Sequence, residues 1–128
     1  MDPSLLEIHD LSKMYNAKEG IHSINLEVKS GELLTLLGPS GCGKTTILRA
    51  IGGFIRIDSG VILLEQQAIQ SLPPEKRATG MVFQSYNLWP HMTVYENMAF
   101  GLRLRKTPAA QIKQKNQSHA GAGSNAWL

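Results

Sequence analysis

A glycine-rich octapeptide, GPSGCGKT at residues 38–45, is the feature that most constrains how this chain can fold. An apolar run precedes it at residues 32–37, and helix-forming residues follow it at 46–51. The spacing matches G-x-x-x-x-G-K-[ST], a pattern in which a strand, a tight turn and a helix follow one another. Glycines allow successive N–H groups to point into one concavity at the positive end of the helix. The pattern therefore predicts a phosphate-binding loop.

The side chains of this loop have distinct expected roles. Lys44 is expected to contact β- and γ-phosphate oxygens and to offset their charge. Thr45 offers a hydroxyl to Mg²⁺, a hard ion that prefers oxygen ligands, while Ser40 and Thr46 are expected to reach the γ- and α-phosphates. Cys42 is interpreted as a small residue tolerated in a tight loop. The expected nucleotide-binding residues of this segment are Gly38, Pro39, Ser40, Gly41, Cys42, Gly43, Lys44, Thr45 and Thr46.

Hydrophobic periodicity predicts an α/β chain. The apolar run at 32–37 is typical of a strand covered on both faces, and strict alternation at 24–29 indicates a half-buried strand. Thr93 and Glu96 have the spacing of a capping box, so a helix is expected from there to about Leu104. The other predicted elements are strands at 5–9, 61–64 and 80–83, and a helix at 46–51 that a pair of glycines would end.

Length and composition exclude several classes of protein. A chain of 128 residues with 42% apolar residues is long enough for one packed domain. Its longest apolar runs are far below the ~20 residues that span a bilayer, and its start lacks the features of a secretory signal. The single cysteine, Cys42, excludes an internal disulfide and a zinc site built from several cysteines. A reducing, cytoplasmic setting is therefore expected.

Charge is distributed unevenly along the chain. Residues 1–96 carry eight Lys/Arg and ten Asp/Glu, whereas residues 97–128 carry five Lys/Arg and no acidic residue. The basic C-terminal part has no interleaved aromatic residues, so we interpret it as solvated and expect no nucleic-acid partner.

Two further segments indicate a family. Tyr15 precedes the glycine-rich loop, and VFQSYNLWPHMTV follows it at residues 82–94. With GPSGCGKTT and PHMTVYEN, these segments resemble the ATP-binding subunits of ABC transporters, in particular importers of iron, polyamines, sugars and phosphonates. The resemblance covers roughly residues 5–113. It implies a P-loop NTPase fold over residues 1–115, incomplete, with an antiparallel β part at the N-terminus and the start of the helical subdomain. Residues 116–128 are expected to form a disordered tail outside the family pattern.

The resemblance also implies cofactors, partners and site residues. The cofactors are ATP and Mg²⁺. Tyr15 would stack on adenine, Gln84 would contact Mg²⁺ and the attacking water, and Lys44 with Gln84 would form the catalytic pair. Residues 85–96 would receive the membrane permease subunit, a second ATP-binding subunit would complete the dimer, and the protein would lie peripherally at the cytoplasmic face of the membrane. The residues alone leave three plainer alternatives open: a core-packed Tyr15, a solvated Gln84, and apolar residues 88–92 buried under the chain's own helices.

The chain also departs from the family pattern. The signature motif and the switch histidine of the family have no counterpart. Because no acidic residue follows Glu96, the metal-binding aspartate and the general-base glutamate of the Asp-Glu strand have none either. His91 is interpreted as a loop residue. We therefore expect a truncated chain with weak ATP binding and negligible hydrolysis. The alternatives are a non-catalytic nucleotide-binding remnant and, less consistent with the motifs, a small-molecule kinase with a P-loop.

Overall fold

The computed structural model describes residues 3–84 and 88–122, and the chain divides into two compact units, Met1–Met81 and Val82–Leu128. Residues 85–87 of the expected permease surface lie outside the described residues, as does the end of the expected tail at 123–128. The elements of the first unit are β1 (Ser4–Met14), β2 (Gly20–Lys29), α1 (Lys44–Gly52), β3 (Ser59–Leu64), β4 (Gln67–Ala68) and a short 3-10 helix (Pro74–Lys76). The second unit contains α2 (Val94–Leu104) and α3 (Ala109–Ala122).

The first unit is built on an antiparallel sheet. Its strand order is β2-β1-β3-β4, so β1 is central and pairs with both β2 and β3. Ile8, Leu11 and Ile62 project from these strands into the core, where each is at most 1% exposed. Complete burial of such a side chain contributes about 1.5–3 kcal/mol to folding. The antiparallel β part expected at the N-terminus is therefore confirmed.

Both long strands extend beyond their predicted limits because each contains an irregular residue. Asp10 and Ser23 have φ values of 48° and 47°, and the pairing register of β1 and β2 shifts between Ile8 and Leu11. Asn25 stabilises this irregularity, since its side chain accepts from the Asp10 N–H at 3.0 Å and donates to the Asp10 carboxylate at 3.2 Å. An extra residue of this kind breaks the two-residue alternation on which sequence prediction relies.

Helix α1 packs on the sheet through Ile47 and Ala50, which belong to the same buried cluster as the strand residues. The predicted helix is confirmed, and it ends at the predicted pair of glycines. Gly53 adopts φ 83°, and its N–H donates to the Ala50 carbonyl at 3.3 Å. A Cβ at Gly53 would lie 2.7 Å from Arg77 Nε. Glycine is therefore required there both for its conformation and for space.

Two predicted strands do not form. The segment 32–37 has no strand partner in the described chain, and Leu33 and Leu37 are 91% and 88% exposed, although Leu36 packs against the core. Residues 80–83 are likewise irregular, with Val82 93% exposed. The prediction of a strand at 32–37 covered on both faces is wrong for this chain. A continuous apolar run indicates burial, but burial as a parallel strand requires neighbours that the described residues do not provide.

The second unit is a helical pair that begins at the predicted cap. Thr93 accepts from the Glu96 N–H at 3.2 Å and the Glu96 carboxylate accepts from the Thr93 N–H at 2.8 Å, which confirms the capping box. The hydrogen bonds to Thr93 also lower the pKa of Glu96 below its usual value. None of the helices in the described part of the chain is both long enough and apolar enough to cross a bilayer.

Helix α3 continues beyond the end predicted for ordered structure. It reaches Ala122, whereas sequence analysis expects a disordered tail from Asn116. Ile112 and Asn116 are buried, and the Asn116 side chain donates to the Tyr95 carbonyl of α2 at 3.2 Å. This contact between helices supports residues 116–122, in which hydrophobic periodicity has already been lost.

Arg77 stabilises the first unit, because its guanidinium donates hydrogen bonds to four backbone carbonyls. Nη1 donates to Ala50 and Ile51 at 2.7 and 3.1 Å, Nε donates to Leu72 at 2.8 Å, and Nη2 donates to Gln70 at 3.2 Å. Burial lowers the pKa of Arg77 from its usual value, but a guanidinium stays charged in proteins. Arg77 therefore supplies hydrogen bonds to carbonyls at the end of α1 and links the loop after β4 to that helix.

Replacing this guanidinium should destabilise the first unit. We expect Arg77→Met to lower the free energy of unfolding by about 3 kcal/mol, since buried carbonyls lose a charged donor. Urea unfolding followed by circular dichroism measures the change. Arg56→Met is the matched control, because Arg56 is exposed and its loss should cost less than about 0.5 kcal/mol. Equal midpoints for the two variants would contradict this role of Arg77.

Candidate phosphate-binding site

The loop between the apolar segment and α1 has the backbone that its glycines predict. Gly41 and Gly43 adopt φ values of 82° and 102°, in the region that side chains disfavour. A Cβ on Gly43 would overlap the Ile21 side chain of β2, and a Cβ on Gly38 would lie 2.7 Å from Cys42 Sγ. The loop can therefore fold this tightly against the sheet only with glycine at these positions.

The N-terminus of α1 presents unpaired backbone donors. Gly43 is the N-cap residue and has no side chain to cap the first turn. In the described part of the chain, the first helical N–H to reach a carbonyl is that of Ile47, which donates to Gly43 at 3.0 Å. The preceding N–H groups add their partial charges to the positive end of the helix dipole. This end of α1 is consequently suited to an anion.

Lys44 brings a full positive charge to the same place. Its ammonium donates to the carbonyls of Gly38 and Pro39, the latter at 2.9 Å, and to Cys42 Sγ at 3.3 Å. The hydrogen bond from Lys44 lowers the pKa of the Cys42 thiol below its usual value. Because Cys42 is exposed, this part of the loop is open to solvent.

The structure brings the predicted adenine-stacking residue to the loop. Tyr15 directly follows β1, and its hydroxyl lies 3.4 Å from Thr46 Oγ1 in α1. Tyr15 is 53% exposed, which argues against the alternative of a core-packed tyrosine. Ser40 and Thr45, which precede and follow Lys44 in the sequence, are exposed. Among the predicted loop residues, Thr46 is thus the one that contacts Tyr15 in the described structure.

Gln84 belongs to the second unit. It lies exposed at a turn directly before residues 85–87, which are outside the described residues. The described residues contain no group of three or more His, Cys, Asp or Glu side chains that could hold a metal ion. Hydroxyl, amide, phosphate and water oxygens are all suitable ligands for a magnesium ion.

The second unit exposes part of the predicted apolar surface. Leu88 is 70% exposed and Val94 is 77% exposed, whereas the Trp89 ring packs on Phe100 with 4.3 Å between centroids. Asn97 holds this loop to α2, since its side chain accepts from the Trp89 N–H at 2.9 Å and donates to the Trp89 and Thr93 carbonyls at 3.2 and 2.8 Å. Trp89 therefore packs against α2 on one side but stays 40% exposed, and burial under the chain's own helices applies to neither Trp89 nor Leu88.

Sequence analysis missed three residues that organise these sites. Asn97 fixes the apolar loop, and the only sequence feature that could have indicated this role is its position one helical turn after the N-cap residue. Lys13 and Asp58 flank Tyr15, with Lys13 Nζ 5.7 Å from the Tyr15 ring centroid and 3.7 Å from an Asp58 oxygen. The two are 45 positions apart in the chain, so no local pattern could connect them.

Comparison with known proteins settles the family. The family model described as ABC transporter matches residues 21–126. The chain belongs to the ABC transporter family. It is 52% identical over 111 residues to the spermidine/putrescine import ATP-binding protein PotA of Vibrio parahaemolyticus and 55% identical over 108 residues to PotA of Salmonella typhimurium. These alignments cover 87% and 84% of this chain but 29% of each relative. This ABC chain therefore spans less than a third of the curated relatives it matches.

Solved structures agree with the fold of this ABC transporter family chain. A dimeric ATP-binding cassette in a post-hydrolysis state, bound to ADP and Pi, is similar with a TM-score of 0.75 and 25% identity over 88% of this chain and 54% of that one. A nucleotide-free ATP-binding cassette from an ABC transporter is similar with a TM-score of 0.53 and 26% identity over 56% of this chain and 28% of that one. The expected ABC ATPase fold, present in part, is confirmed.

The contact between Lys44 and Cys42 gives a pH-dependent prediction. Because the ammonium favours the thiolate and lowers the pKa of Cys42, Lys44→Met should move the midpoint of Cys42 alkylation to higher pH. Iodoacetamide labelling across pH, followed by mass spectrometry, measures this unambiguously because Cys42 is the single cysteine. Lys29→Met, which removes an equal charge at the end of β2, should leave the midpoint unchanged. Identical midpoints for all three proteins would refute the contact.

Proposed function

We propose that this chain is the nucleotide-binding part of an ATP-binding subunit of an ABC-type solute importer. The observation that carries the proposal is that the Lys44 ammonium, the unpaired N–H groups at the start of α1 and the left-handed glycines belong to one exposed loop. The likeness to PotA, whose name assigns it to spermidine and putrescine import, supports import as the direction of transport.

ATP binding would replace contacts within the loop by contacts to phosphate. Among the described residues, the Lys44 ammonium bonds two carbonyls and the Cys42 sulfur of its own loop, and charged phosphate oxygens are stronger acceptors than these groups. Residues 38–45 would surround the β-phosphate, Ser40 and Thr46 would reach the γ- and α-phosphates, and Tyr15 would stack on adenine. The exposed Tyr15 ring and its hydrogen bond to Thr46 support this arrangement.

Mg²⁺ would bind at the same loop. We assign Thr45 as its protein ligand from the loop, because an exposed hydroxyl at the start of a helix suits a hard cation that keeps several waters. Gln84 is the second proposed ligand and would also orient the attacking water, since a neutral amide can bond to both without adding charge. When bound, Mg²⁺ would neutralise part of the phosphate charge.

The apolar loop of the second unit is proposed to contact the membrane permease. Leu88 and Val94 are exposed although Asn97 and the capping box hold their backbone in place. An apolar surface kept rigid and exposed usually marks a contact with another protein. Through this surface the subunit would lie peripherally at the cytoplasmic face of the membrane. A second ATP-binding subunit would complete the dimer, in line with the dimeric cassette to which the chain is similar.

Binding and hydrolysis are proposed to be separate in this chain. No acidic residue follows Glu96, so the 128-residue protein offers no carboxylate from that part of the sequence to act as general base. The segments 32–37 and 80–83 on either side of α1 in sequence also lack strand partners in the described chain. These observations favour nucleotide binding without hydrolysis as the activity of the isolated 128-residue chain.

Calorimetric titration with Mg-ATP tests the proposal. We expect Lys44→Met to weaken binding at least about tenfold, since a charge-assisted contact to phosphate contributes about 1.5–3 kcal/mol. Lys29→Met is the matched control and should bind as the unmodified protein does. Adding EDTA should weaken ATP binding by the unmodified protein. The unmodified protein should release phosphate from ATP no faster than Lys44→Met does. A folded Lys44→Met variant with unchanged Mg-ATP affinity would disprove the proposed function.

A further inference from the structure

We infer that Lys13 and Asp58 are positioning residues that hold the Tyr15 ring for the nucleotide base. The inference deepens the proposed function and rests on it, because it assigns Tyr15 to the base of the bound nucleotide. All the contacts that carry it lie within the first unit.

The backbone at Tyr15 is fixed from both sides. Asp58 accepts the Met14 N–H at 2.7 Å, which holds the last residue of β1. The Tyr15 N–H donates to the Glu19 carbonyl at 2.8 Å, and the loop between them is tightened by Asn16, whose side-chain oxygen accepts from the Glu19 N–H at 2.9 Å. The Tyr15 side chain therefore starts from a defined point although its ring is about half exposed.

Lys13 constrains the ring itself. Its ammonium lies over the ring, 5.7 Å from the centroid, which is within the range of a cation–π contact. Asp58 holds that ammonium with an oxygen 3.7 Å away, and the Lys13 side chain is only 20% exposed. A lysine on open surface would sample many rotamers, whereas this one is confined between a carboxylate and an aromatic face.

Asp58 thus acts on Tyr15 in two ways. One oxygen fixes the backbone before the tyrosine, and the other fixes the cation that covers one ring face. At its far end, the Tyr15 hydroxyl meets Thr46 of α1. With one face covered by Lys13 and the hydroxyl directed to the phosphate loop, the opposite face is left for a planar base. Stacking on a pre-oriented ring costs less entropy than stacking on a mobile one.

The experiment compares two ligands that differ in the base. ATP contains the base and tripolyphosphate does not, and both carry the polyphosphate that residues 38–45 would bind. We expect Lys13→Met and Asp58→Asn each to weaken ATP binding about threefold, the size of a partly exposed cation–π contact, and to leave tripolyphosphate binding unchanged. Asn retains an oxygen for the Met14 N–H, so Asp58→Asn tests the contact with Lys13 rather than the fold. Lys13→Arg keeps a cation over the ring and should restore ATP affinity.

The two substitutions change the net charge in opposite directions, which separates positioning from bulk electrostatics. If charge alone mattered, Lys13→Met would weaken and Asp58→Asn would strengthen the binding of both ligands. A Tyr15→Ala background provides a further check, because Lys13→Met should cause no additional loss of ATP affinity there.

Each outcome bears on one of the two proposals. Loss of tripolyphosphate affinity in Lys13→Met, or unchanged ATP affinity in both variants, overturns the positioning role and leaves the proposed function standing. Tighter ATP binding by Lys13→Met would mean that the lysine covers the face the base needs, which also overturns it. If the unmodified chain binds neither ligand, the proposed function fails and the inference fails with it.

Discussion

The packing of α1 against β2 through Gly43 and Ile21 is the constraint on which the rest of the first unit depends. Gly43 takes a left-handed conformation at a point where a Cβ would overlap Ile21. This close approach sets where α1 starts, and therefore where its unpaired N–H groups and the Lys44 ammonium lie. Arg77 fixes the opposite end of the same helix through backbone carbonyls. The proposed anion site is thus a property of one short helix held at both ends.

Features determined by neighbouring residues could be predicted from the sequence. The capping box of Thr93 and Glu96, the glycine stop at the end of α1 and the glycine conformations of the loop were all predictable, because each depends on residues within a few positions. The predicted strands ended at His9 and began at Ile24, next to Asp10 and Ser23, both of which have positive φ. There the side-chain alternation breaks while the strands continue. The side chains of Asn25 and Ser12, distant in sequence, stabilise the irregularity by accepting from the Asp10 and Ser23 N–H groups.

Features that depend on distant partners could not be predicted. The run at 32–37 has the composition of a buried strand, yet Leu33 and Leu37 are exposed because no described strand lies beside them. Conversely, Asn116 lies in a segment without apolar periodicity and is nevertheless helical, because α2 offers its side chain a carbonyl. At the candidate site, the loop was predictable by its motif, whereas the grouping of Lys13, Tyr15 and Asp58 required the sheet that brings β1 and the start of β3 together. The roles assigned to the predicted site residues stay predictions.

The exposed segment 32–37 has a consequence for the behaviour of this chain in solution. It combines exposed leucines with a backbone that no strand of the described chain pairs with, and unpaired apolar segments can pair between molecules. Self-association through this segment would rise with protein concentration and compete with the monomer. Exposed leucines beside the phosphate loop are therefore expected to lower the solubility of the 128-residue protein.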